Sequence, residues 1–129
     1  MKNNTHVISP IQKNHQVPKE AADLTSSMTL DMLQTYICAV TKQRGFSDES
    51  AQDIMLLMVE EVGELAKALR KFVGLKIDQH KATSYTSVEE EAADVFFYLL
   101  DLCNVLKIDL FTALKNKEQK NEQRLWGNK

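Results

Sequence analysis

From about residue 28 onward, apolar residues recur every three or four positions, the period of helices with one buried stripe and not the alternation of strands. A first helix is predicted with Thr29 as N-cap. Its inward line is Leu30, Leu33, Ile37 and Val40, and it runs to about Arg44, where Gly45 stops it. After the turn Phe46 to Ser50, Ser50 and Asp53 have capping-box spacing, and a second helix runs to about Val73, ending at Gly74. Its stripe is Ile54, Met58, Leu65, Ala68 and Phe72. Leu75 to Thr86 is polar and reads as irregular, with His80 as a solvated loop residue. Ser87-Val88-Glu89-Glu90 opens a third helix with a capping box, to about Lys107, whose stripe is Val88, Val95, Tyr98, Leu102 and Val105. Phe96, Phe97 and Leu100 fall opposite. That helix is apolar on two faces, so self-association is the expected cover. Asp109 caps a fourth helix through Leu110, Phe111 and Leu114 to about Arg124.

Within two of these stripes sit acids. At roughly 100° per residue, Glu61 lies inside the second helix's stripe, Glu64 on its flank and Glu60 further towards solvent. On the third helix Glu91 is near the stripe's centre and Asp94 on its flank. Carboxylates on apolar faces are costly unless neutralised, and no Lys, Arg or His shares either stripe. A hard divalent cation, which takes several oxygen ligands, resolves both at once.

Composition narrows the class. The 129 residues make one domain with room for a core, and only four Gly and two Pro agree with a helical chain. Residues 1–27, with Pro10 and Pro18 and no sustained period, read as a disordered tail; residues 28–129 form the helical domain. His6 and His15 belong to the tail. A net charge of −2 gives no footprint for a nucleic acid polymer, and no stretch approaches the length of a membrane span. Cys38 and Cys103, far apart in apolar surroundings, read as reduced core thiols of a cytoplasmic protein.

The acids and their neighbours, Glu60-Glu61-Val62-Gly63-Glu64-Leu65-Ala66 and Glu91-Ala92-Ala93-Asp94-Val95, resemble the E-E-x-x-E and E-x-x-D signature of the MazG-like, all-α nucleoside triphosphate pyrophosphohydrolases. The likeness runs from about Met28 to Arg124. It implies a four-helix bundle acting on a nucleoside triphosphate between its α- and β-phosphates, as a homodimer or homotetramer. Glu61, Glu64, Glu91 and Asp94 would hold Mg²⁺, with Mn²⁺ as substitute. Glu60 would bind a second ion or help activate water, so Glu60 and Glu61 are the catalytic candidates. Lys117, Asn121 and Arg124 resemble a K-x-x-x-N-x-x-R pattern that meets the triphosphate. Gln34 and Tyr36 are conceivable base contacts on the first helix, although a surface polar group and a packing aromatic are the plainer readings. Trp126 is an anchor or a stacking group.

Two other classes compete. Di-iron carboxylate bundles also turn Glu inward, but they need E-x-x-H on two helices, and here the fourth position is Glu64 or Asp94. A helical interaction or regulatory protein with decorative acids is the non-enzymatic alternative. It requires acids on two apolar stripes to lack any purpose.

Overall fold

The structure, a computed structural model, describes residues 20–124 and residue 127. Most of the predicted tail, with His6 and His15, lies outside the described residues, as does Trp126. Among the described residues there are four α-helices, two short 3-10 segments and no strand. The helices are α1 (Leu30–Arg44), α2 (Ala51–Phe72), α3 (Val88–Val105) and α4 (Leu110–Glu122). No described helix is long and apolar enough to cross a membrane.

Local chemistry sets nearly every boundary. Ser50 and Asp53 close a reciprocal capping box on α2, and Ser87 and Glu90 close another on α3. The Asp109 carboxylate accepts from the Thr112 amide at 3.1 Å and opens α4. Gly45 takes the left-handed conformation (φ 85°) that ends α1. Thr29 stands at the N-cap of α1 as predicted, yet its hydroxyl donates to the Asp31 carboxylate instead of receiving a backbone amide. The predicted loop 75–86 contains a 3-10 segment, Gln79–Ser84, whose start is held by the Asp78 carboxylate accepting from the His80 amide.

The most extensive helix pairing is α2 on α3, followed by α1 on α3, with α4 resting on α1. One core gathers Tyr36, Ile37 and Val40 of α1 with Leu100 of α3, and Leu30, Leu33, Phe97 and Leu110 pack around it. Ile54 and Leu100 are each 1% exposed, and burying such a side chain contributes about 1.5–3 kcal/mol. This corrects the reading of α3. Leu100 and Phe97 are covered by α1 within one chain, and Phe96 alone of the three stays exposed, so they are not the reason to self-associate. Exposed apolar side chains lie instead on α2, where Leu56 is 71% and Phe72 74% exposed; Phe72 therefore leaves the predicted stripe. Cys103 is buried as expected, but Cys38 is exposed.

Gln34 is a fastener. Its Nε2 donates to Asn104 Oδ1 at 3.2 Å and to the Ile108 carbonyl at 2.9 Å, and its Oε1 accepts from the Leu110 amide at 3.0 Å. Asn104 Nδ2 returns a bond of 2.8 Å to the Gln34 carbonyl. Side chain and backbone of one α1 residue thus tie down the end of α3 and an otherwise unpaired first-turn amide of α4. Gln34 serves the scaffold through its bonds and Tyr36 through its packing in the core.

Candidate functional site

The α2–α3 pairing brings the two acidic motifs face to face. Carboxylate oxygens of Glu61, Glu91 and Asp94 lie within 4.8 Å of one another, with Glu61 half-buried, Glu91 buried and Asp94 exposed. Glu91 sits in the first turn of α3, immediately behind the Ser87 capping box, and accepts a hydrogen bond from the Thr86 hydroxyl. The cap that starts the helix therefore also fixes the most buried acid.

Glu61 feels the crowding. Burial raises its proton affinity above that of an ordinary glutamate, and Asp94, Glu91, Glu60 and Glu64 add like-charge repulsion in that order. A hard divalent cation fits this donor set: it takes carboxylate oxygens and cancels the repulsion that holds protons on Glu61.

The structure gathers three of the four expected ligands. Glu64 lies apart from the trio, its carboxylate accepting from Lys67 Nζ at 2.9 Å. Lys67 also stands 5.2 Å from the centre of the Tyr85 ring, and Lys71 stands 5.9 Å from it. Glu60 is exposed and acts on Glu61 through charge. Lys117, Asn121 and Arg124 are not brought to the acids. They lie on or just past α4, which rests on α1. Asn121 Nδ2 donates to Glu118 at 2.7 Å, while its Oδ1 is buried without a partner among the described residues.

Sequence reasoning missed a second group beside the acids. Tyr98, one turn beyond Asp94, has its hydroxyl pKa raised by burial and then by the charges of Glu61, Glu49, Asp94 and Asp101. It stands between the acid trio and a small cavity of about 80 Å³, which Glu49 and Asp101 also line. Asp101 is 4% exposed. The signal was available: one acid interrupts the apolar run from Phe96 to Cys103, seven residues after Asp94 and hence on nearly the same helix face.

The described residues form an all-α domain whose paired helices converge carboxylates on one point, a candidate metal centre. Residues 49–125 match the MazG nucleotide pyrophosphohydrolase domain, and the chain belongs to that family. The matched stretch holds both acidic motifs and begins after α1. Among curated proteins and among solved structures, none matches the chain.

Proposed function

We propose that this protein is a Mg²⁺-dependent nucleoside triphosphate pyrophosphohydrolase, cleaving between the α- and β-phosphates to release a nucleoside monophosphate and pyrophosphate. The observation that carries the reading is the convergence of Glu61, Glu91 and Asp94 within 4.8 Å in a chain of this family. These three, with Glu64 as a fourth ligand if released from Lys67, would hold Mg²⁺, which would supply positive charge against the phosphate oxygens, and Mn²⁺ would be a workable substitute. Glu60, exposed beside Glu61, is the base we assign to the attacking water. Lys117 and Arg124 supply positive charge to the phosphates and Asn121 a neutral donor. Because α4 rests on α1, we assign these three residues to the acids of a second copy, in a homodimer or homotetramer. The biological role we infer is removal of surplus or non-standard deoxynucleotides.

The test resolves the phosphate products of a panel of nucleoside triphosphates by phosphorus NMR, with Mg²⁺ and with chelator. Monophosphate and pyrophosphate are expected, with activity lost to chelator and restored by Mg²⁺. Diphosphate and orthophosphate as main products would overturn the reading.

A further inference from the structure

Asp101 is a buried acid with no satisfied role in the scaffold. It is 4% exposed, and no hydrogen bond or ion pair to it is found among the described residues. An acid is costlier to bury than the leucine or valine that would fit this apolar run, and its unpaired oxygens stay open to a cavity, since Asn121 Oδ1 alone is sealed off without a partner among the described side chains. Burial, and after it the charge of Glu49, raise the proton affinity of its carboxyl.

What surrounds it describes a ligand. The cavity lies between the end of α1, the connector to α2 and the middle of α3, and Arg44, Phe46, Glu49, Phe97, Tyr98 and Asp101 line it. The Arg44 guanidinium lies 5.8 Å from the centre of the Phe97 ring. Thr41, also at the wall, has spent its hydroxyl proton on the Ile37 and Cys38 carbonyls at 3.0 and 3.2 Å. Flat apolar walls suit an aromatic ring. Two carboxyl groups at its edge ask that ring for N–H donors. Tyr98, which lines the cavity one turn beyond Asp94, places this ring beside the acids assigned above to the metal.

We propose that Asp101, assisted by Glu49, reads the base of the bound nucleotide and selects bases carrying an exocyclic amino group. The proposal rests on the nucleotide reading above. A carboxylate accepts from an amino group on the base edge, whereas a keto oxygen in the same place meets it lone pair to lone pair. Sites built to bond one polar group reject the analogue that cannot supply it, here by about 10- to 100-fold for a charge-assisted bond.

The experiment compares kcat/KM for dCTP against dUTP and for dATP against dITP, each pair exchanging an amino group for a keto oxygen at one ring position, in the full chain with Mg²⁺. The amino-bearing member is expected to win by about 10- to 100-fold in each pair that is turned over. Asp101→Asn, which presents both a donor and an acceptor, should bring that ratio close to one, and Glu49→Gln should lower it part of the way. Equal use or keto preference in the wild type, or an unchanged ratio in Asp101→Asn, overturns the proposal. Should Asp101→Asn not fold, Glu49→Gln decides by the same ratio. Calorimetric binding of α,β-imido analogues of the same nucleotides separates the two readings. Amino-selective binding of the analogues without turnover of any natural nucleotide removes the catalytic reading and upholds this one, and neither binding nor turnover of any nucleotide removes both.

Discussion

Glu61 opposes folding and serves the site. Replacing it with Gln keeps the shape but removes a charge and a hard ligand, so Mg²⁺-dependent hydrolysis should fall by at least about 100-fold, the order lost when a positioned charged group is removed. The metal-free variant should be no less stable than the wild type, and Mg²⁺ should raise the wild-type melting temperature more than the variant's. Equal shifts in both would show that Glu61 is not a ligand. The pH dependence has a definite sign. Glu61 and Asp101 have raised proton affinity in the fold. Their stabilising contribution is therefore complete below the ordinary carboxylate range and lost as pH rises through their raised values. Asp53, Glu90 and Asp109 are lowered by their capping bonds, and their contribution holds above that range and fades on acidification. Thermal unfolding without metal should thus show a decline in stability above the carboxylate range that is shallower in Glu61→Gln. Identical slopes would contradict this. The trio was legible because an acid on an apolar stripe stands out in one dimension. Glu64's engagement with Lys67 was not, since three-residue spacing permits an ion pair on any helix surface.

Helix ends were legible wherever a cap is local. Ser50 with Asp53, Ser87 with Glu90, Asp109, Gly45 and Gly74 each act within four residues, and each stands where the pattern put it. Pairing was not legible, because periodicity says that a face is apolar and not what covers it. That is why Leu100 was assigned to an outer surface and lies in the α1 core, and why Gln34 gave no sign of reaching Asn104 and Leu110 across some seventy residues of chain. Gln34→Ala should cost about 2 kcal/mol in denaturant unfolding, the sum of modest net bonds and one amide left bare. A loss under about 0.5 kcal/mol, the scale of an ordinary surface substitution, would deny the fastener its role. Gly63, inside α2, runs the other way. A Cβ built there meets nothing within 4 Å, so Gly63→Ala should stabilise the chain by about 0.5–1 kcal/mol by the same measurement. A destabilised variant would mean that something approaches this stretch closely.

One chain leaves much of α2 uncovered. Met55, Leu56, Val59 and Val62 are between 44% and 71% exposed, and Leu106 of the α3 cap, 50% exposed, extends the patch beside Leu56. Monomers seldom carry such continuous apolar surface. Light scattering at micromolar concentration should report a dimer or tetramer. Leu56→Glu should give a monomer of unchanged helicity, since the side chain is 71% exposed within one chain. A fully active wild-type monomer would refute the assembly and the assignment of α4 to a second copy. Within each copy α3 alone carries Glu91, Asp94, Tyr98 and Asp101. At about 1.5 Å per residue, Asp94 and Asp101 are held some 10 Å apart along a rigid rod, which on the two proposals above is a built-in ruler between the phosphate end and the base end of a nucleotide. On that reading mutation can rewrite the mark at Asp101, and with it the choice of base, while the mark at Asp94 stays where a metal would require it.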